Sequence, residues 1–131
     1  MFLTEANPFA HSTEKLAKLA ENIHRYLPQI KTIGCFSRVT DITPKSVSEL
    51  KELRLLGYDG IIIGTETGDD EALAFMWKGY KAADIVRELH KLQEAGIGYQ
   101  KYAWTVKVGE KGSLLYRKKR AMFLALTPAI R

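Results

Sequence analysis

Short apolar runs alternate with amphipathic, helix-like stretches along the first hundred or so residues of this chain. Runs at residues 30–36, 60–64 and 97–104 are typical of strands, and residues 1–3 resemble the end of an earlier one. The stretches between them carry apolar residues at spacings of three and four, which predicts helices. The strands recur about every thirty residues, the size of a βαβ unit. The pattern therefore predicts an α/β fold of parallel βα repeats, either an open doubly wound sheet or part of a barrel.

Local signals place the helix boundaries. Thr43 followed by Pro44 predicts a helix start, with a hydroxyl cap before a proline at the first helical position. Gly57 and Gly96 predict left-handed helix ends. The strand at residues 60–64 is apolar on consecutive positions, which predicts that other elements cover both of its faces.

The composition is that of one globular domain. The 131 residues are 46% hydrophobic and 27% charged, which excludes a disordered chain. The single cysteine, Cys35, excludes an internal disulfide and a metal site built from cysteines of one chain. Cys35 lies in an apolar run, which favours a buried thiol over a nucleophile. We identify no catalytic residue and no metal ligand, and we expect a cytoplasmic protein without membrane contact.

The positive charge is concentrated near the end of the chain. Residues 106–131 hold seven basic side chains and one acidic one, so the net charge of +5 arises there and residues 1–105 are close to neutral. We therefore divide the chain into a βα domain, 1–105, and an irregular basic tail, 106–131, that could form a hairpin and a short helix. The run at residues 117–120 is more typical of a solvated helix face than of a nucleic-acid site, and it leaves nucleic-acid binding open.

Polar residues follow the predicted strands at the edge where parallel α/β folds bind ligands. Asn7 follows the first strand, Arg38 the second and Glu66 the third. Glu66 could accept hydrogen bonds from two ribose hydroxyls or could cap the helix beginning at Asp69, and residue type alone does not decide between them. Lys78, twelve residues further on, could bind a ligand carboxylate or interact with the C-terminal end of that helix; the second is favoured from residue type.

Several segments match a known pattern as a set. They are Gly64-Thr65-Glu66-Thr67-Gly68-Asp69-Asp70, Trp77-Lys78-Gly79, Glu94-Ala95-Gly96-Ile97, Ser37-Arg38-Val39-Thr40-Asp41-Ile42 and Leu50-Lys51-Glu52-Leu53. Over about residues 1–100 the chain resembles the radical S-adenosylmethionine (radical SAM) superfamily, and most of all its elongator, MiaB, NifB and oxygen-independent coproporphyrinogen oxidase type.

The resemblance implies a fragment of a partial TIM-type barrel that binds S-adenosylmethionine. It implies that Glu66 binds the ribose hydroxyls, that Lys78 faces the methionine carboxylate, and that Asn7 and Arg38 line the same mouth. In the family a [4Fe–4S] cluster, held by a C-x-x-x-C-x-x-C motif after the first strand, cleaves the cofactor to a radical.

Three departures from the family pattern shape the functional prediction. The cysteine motif is absent, Trp77 stands where the family has asparagine, and no glycine-rich continuation follows about residue 103. We therefore expect a radical SAM fragment that carries part of the S-adenosylmethionine site, holds no [4Fe–4S] cluster and is inactive alone.

Two other functions remain open from the sequence. One is a non-catalytic interaction module whose basic tail binds acidic partners or nucleic acid, and the other is a small-molecule-binding α/β protein unrelated to radical chemistry. A partial sheet also leaves strand edges exposed, which predicts a homo-oligomer.

Overall fold

The computed structural model of the protein describes residues 1–4 and 7–103. Within them, four parallel strands form one sheet in the order β1-β2-β3-β4. The strands are β1 (Phe2–Leu3), β2 (Gly34–Arg38), β3 (Ile61–Glu66) and β4 (Tyr99–Ala103). Around them lie α1 (Thr13–Tyr26), α2 (Val39–Ile42), α3 (Val47–Leu55), α4 (Asp70–Phe75), α5 (Ala82–Glu94) and a short 3₁₀ helix, Pro8–Ala10.

The sheet has strands in sequential order, and only one of its faces is buried. Alternate residues of β3 (Ile61, Ile63 and Thr65) are fully buried, whereas the other three positions (Ile62, Gly64 and Glu66) are partly exposed. A doubly wound sheet reverses its strand order and carries helices on both faces, so the arrangement is that of a barrel segment. The prediction that both faces of this strand are covered is therefore wrong for the described residues.

The core lies between the buried face of the sheet and the helices. Its side chains come from α1, α3, α5 and alternate strand positions, including Leu16, Cys35, Leu53, Ile63 and Leu89. Tyr58 is fully buried there and donates a hydrogen bond from its hydroxyl to the carbonyl of Leu16 at 2.9 Å. Because all four strands are parallel, their carboxyl ends meet at one edge of the sheet.

The helix predicted to start at Thr43 and Pro44 starts later. Ser46 caps α3 in a reciprocal arrangement with Glu49, in which each side chain accepts a hydrogen bond from the other residue's backbone N–H. Thr43 instead ends α2 and donates its hydroxyl to the carbonyl of Val39. Two reciprocal bonds stabilise a helix start more than one hydroxyl does, which explains the shift.

The predicted basic tail, with its hairpin, helix and charged run, lies outside the described residues. In the described part of the chain, none of the helices combines the length and the apolar character that crossing a bilayer requires.

Candidate functional site

The carboxyl ends of β2 and β3 place polar side chains on the uncovered face of the sheet. Arg38 pairs with Gly64, and Gly64 pairs with Tyr102, so these three positions share that face. The register between β3 and β4 then shifts between Gly64 and Glu66. Such an irregularity redirects the side chains that follow it.

Glu66 and Lys78 form an ion pair at this edge. The Lys78 ammonium donates to Glu66 Oε1 at 2.8 Å, and the two side chains are 28% and 17% exposed respectively. No residue that the structure describes bonds to Oε2 of Glu66. The carboxylate therefore retains an acceptor atom beside a cation.

The contacts decide between the alternatives left open for both residues. Asp69, not Glu66, caps α4, since its side chain accepts from the N–H of Glu71 at 3.0 Å. Lys78 follows the end of α4, and its ammonium is directed to Glu66 rather than to the last carbonyls of that helix. Capping thus does not account for either side chain.

Glu66, a member of the ion pair, and Trp77, the residue before Lys78, have left-handed backbones. Glu66 has φ 59° and Trp77 has φ 53°, a region that bulky residues rarely adopt. Trp77 ends α4 in a Schellman motif, in which its N–H donates to the Ala74 carbonyl and the N–H of Lys78 donates to that of Leu73. This turn carries the chain back toward β3 and places Lys78 opposite Glu66.

Tyr80 supports the same corner. Its hydroxyl donates to the Gly64 carbonyl at 3.2 Å. Burial, and after it the negative charge of Glu66, raise the pKa of Tyr80 to about 12, and the positive charge of Arg38 opposes the shift. Tyr80 therefore experiences the electrostatic fields of two of the four predicted site residues, Glu66 and Arg38.

Asn7 joins the site through Asp41. Asn7 Nδ2 donates to Asp41 Oδ2 at 2.7 Å, and the same oxygen accepts from the backbone N–H of Arg38 at 2.6 Å. Asn7 Oδ1 is buried and has no hydrogen-bond partner within the described ranges. Asp41 thus orients the amide so that an unpaired acceptor remains, and a buried acceptor without a donor is costly.

The chain has one cysteine, whereas a [4Fe–4S] cluster is held by several cysteine thiolates. Cys35 is buried, and burial raises the pKa of its thiol to about 12, with smaller effects of Lys45 and Asp41. Iron–sulfur clusters bind thiolates. Across residues 1–4 and 7–103, His, Cys, Asp and Glu form no group of three or more that could hold a metal ion.

The four predicted residues therefore form two pairs of contacts, Glu66 with Lys78 and Asn7 with the Asp41–Arg38 segment, and the register of β2 and β3 links them. The anchoring roles of Asp41 and Tyr80 were not predicted. Their contacts span 34 and 16 residues, and no periodicity in the sequence indicates such pairs.

Sequential parallel strands, one covered face and polar groups at the carboxyl edge define a barrel-type α/β protein with its candidate site at the usual edge. No family model matches the chain. The heme chaperone HemW of Bacillus subtilis (strain 168) is 24% identical over 127 residues, covering 97% of this chain and 33% of that protein. The solved structure of the cobalamin-dependent S-adenosylmethionine radical enzyme OxsB with aqua-cobalamin bound superimposes with a TM-score of 0.68 at 17% identity, covering 86% of this chain and 16% of that one.

These similarities confirm the resemblance to the radical SAM superfamily, and the chain carries a portion of the radical SAM fold. It spans about a third of the length of the curated relative that it matches. S-adenosylmethionine and a [4Fe–4S] cluster are the cofactors of that superfamily.

Proposed function

We propose that this chain supplies the ribose- and carboxylate-binding part of an S-adenosylmethionine site and that it holds no [4Fe–4S] cluster by itself. The observation that carries the proposal is the Glu66–Lys78 pair at the carboxyl end of β3, on the uncovered face of the sheet. An acceptor and a cation side by side match a ligand that carries both a vicinal diol and a carboxylate.

The residues around the pair suit the rest of such a ligand. Glu66 would accept the ribose hydroxyls, and Lys78 would bind the methionine carboxylate. Asn7 Oδ1, buried and unpaired among the described residues, suits a donor such as the methionine ammonium. Arg38 would line the same mouth and favour an anionic group. When bound, S-adenosylmethionine supplies a sulfonium and a nucleoside, and this chain's residues bind and orient them.

The cluster does not fit this chain. Its one cysteine is buried and protonated, because burial holds the pKa of the thiol far above neutral pH. We therefore derive no radical step from these residues. Any radical chemistry would require cysteine ligands from outside this sequence.

Calorimetric titration of the protein with S-adenosylmethionine tests the proposal. We expect binding, and we expect Glu66→Gln to weaken it by about tenfold or more, as the loss of a hydrogen bond to a charged acceptor does. Glu71→Gln removes the same charge from an exposed position of α4 and should leave the affinity unchanged. Absence of binding, or equal affinity in the Glu66 variant and the wild type, would refute the proposal.

A further inference from the structure

A buried lysine joins the two segments that hold Asn7. Lys45, in the turn between α2 and α3, is 4% exposed. Its ammonium donates to the carbonyl of Phe9 at 2.8 Å and to the carbonyl of Asp41 at 2.9 Å, and it lies 5.0 Å from the centroid of the Phe9 ring. Burying an ammonium is unfavourable unless such partners replace its water, so these contacts fix where the ammonium lies.

Each of the two carbonyls belongs to a segment at the candidate site. The 3₁₀ helix Pro8–Ala10 begins directly after Asn7, and the N–H of Ala10 donates to the Asn7 carbonyl at 3.1 Å. Asp41 lies in α2, and its carboxylate accepts from Asn7 Nδ2. Lys45 therefore connects the backbone next to Asn7 with the backbone of the residue that binds the Asn7 side chain.

Lys45 limits how the Asn7 amide can rearrange. Asn7 Oδ1 is buried and has no hydrogen-bond partner in the part of the chain that the structure describes. A buried acceptor without a donor is unfavourable, so an unconstrained segment would shift until Oδ1 met a donor or water. The Lys45 contacts oppose that shift, because moving the segment would break the bond of a buried ammonium to the Phe9 carbonyl.

We infer that Lys45 is a positioning residue, which holds Asn7 Oδ1 in place as a preformed acceptor for the ammonium of the ligand. This inference rests on the proposed function, in which that ammonium belongs to S-adenosylmethionine. Lys45 is buried and acts through Asn7, so its effect on binding is confined to ligands that donate to Oδ1. A preformed acceptor improves affinity because less ordering is required when the ligand binds.

Lys91 offers a matched comparison. Its ammonium also donates to carbonyls at the end of α2, those of Ile42 at 3.1 Å and Thr43 at 3.3 Å, and to the carboxylate of Glu88. None of these partners belongs to the segment that carries Asn7. Removing either lysine therefore loosens α2, whereas only the removal of Lys45 releases the 3₁₀ helix as well.

The order of the Asn7 side chain is the first readout, measured by NMR. The chain has one other asparagine, Asn22, which lies exposed in α1 and serves as an internal reference. In the wild type the side-chain NH₂ of Asn7 should show a higher heteronuclear NOE than that of Asn22, because it is bonded to Asp41. In Lys45→Met the value should fall to that of Asn22, and in Lys91→Met it should stay as in the wild type.

Ligand selectivity is the second readout, measured by amide chemical-shift titration. Lys45→Met should bind S-adenosylmethionine about fivefold more weakly, a typical coupling within one hydrogen-bond network. It should bind methylthioadenosine, which lacks the ammonium, as the wild type does. In an Asn7→Ala background Lys45→Met should cause no further loss, since it acts through Asn7. Lys45→Gln is the second variant, with the same expectations, if Lys45→Met does not fold.

The outcomes separate this inference from the proposed function. If S-adenosylmethionine binds and Lys45→Met leaves Asn7 ordered, weakens both ligands equally or behaves like Lys91→Met, the inference is wrong while the proposed function stands. If S-adenosylmethionine binds none of these proteins, the proposed function fails and the inference fails with it.

Discussion

Cys35 illustrates how strongly its surroundings decide what one residue can do. The thiol is fully buried in the core between the sheet and the helices, and burial raises its pKa to about 12. The thiolate is the form that binds iron and reacts with electrophiles. In the folded protein this cysteine therefore acts as a small apolar side chain.

Anaerobic reconstitution with ferrous iron and sulfide should leave the wild-type chain without a stoichiometric cluster, as judged by visible absorbance and iron content. In the same protein, iodoacetamide at pH 8 should alkylate Cys35 at least about a hundredfold more slowly than it does in urea-unfolded chain, since so little thiolate is present. One cluster per chain, or rapid alkylation of the folded protein, would show that the thiol is accessible and ionised.

Helices α3, α4 and α5 end in the same hydrogen-bonded turn with different residues at its left-handed position. Gly57 and Gly96 occupy that position after α3 and α5, with φ 93° and 75°, and Trp77 occupies it after α4 with φ 53°. A residue with a Cβ adopts this conformation at a cost that glycine does not bear. The turn next to the candidate site is thus the strained one of the three.

Opposite substitutions at two of these turns should have opposite effects. Trp77→Gly should raise the free energy of unfolding by about 0.5–1 kcal/mol, and Gly96→Ala should lower it by about 1 kcal/mol. No atom lies within 4 Å of a Cβ built at Gly96, so backbone conformation alone is tested there. Urea unfolding provides the measurement.

Phe75→Ala removes an exposed aromatic side chain from the end of α4, two residues before Trp77; it controls for the loss of the Trp77 ring and should be close to neutral. A Trp77→Gly protein that is no more stable than the wild type would mean that the left-handed turn stores no strain.

At the scale of the whole molecule, the uncovered face of the sheet carries apolar as well as polar side chains. Phe2 and Phe36 meet edge to face with ring centroids 5.1 Å apart, and both remain exposed. The short strand β1 forms one end of the four-stranded sheet. Exposed apolar side chains on a sheet face favour association, and we propose that a second copy of the chain covers this face around Phe2 and Phe36, beside the polar edge that carries Glu66.

Sedimentation velocity over a range of concentrations should therefore show a reversible dimer or larger species. Phe36→Ser should weaken the association by about tenfold, the loss typical of an apolar interface contact. Leu55→Ser alters an exposed apolar residue of α3 on the helical side and should have no effect. A monomer at every concentration would exclude the proposed interface.

Much of the architecture follows from sequence patterns that act locally. The βα alternation, the helix ends at Gly57 and Gly96, the buried Cys35 and the polar residues after each strand are all readable because periodicity and glycine conformation depend on neighbours in the chain. Helix α3 starts later than predicted from Thr43 and Pro44, because Ser46 and Glu49 cap it reciprocally.

Only the tertiary structure decided what the polar residues contact. Glu66 and Lys78 each had two interpretations from residue type, and their 2.8 Å contact removed the capping one. Asp41 holds Asn7 from 34 residues away, and only one face of β3 is covered in the described residues. These outcomes depend on strand register and on the path of the chain after each helix, which bring distant residues together through packing that no local pattern encodes.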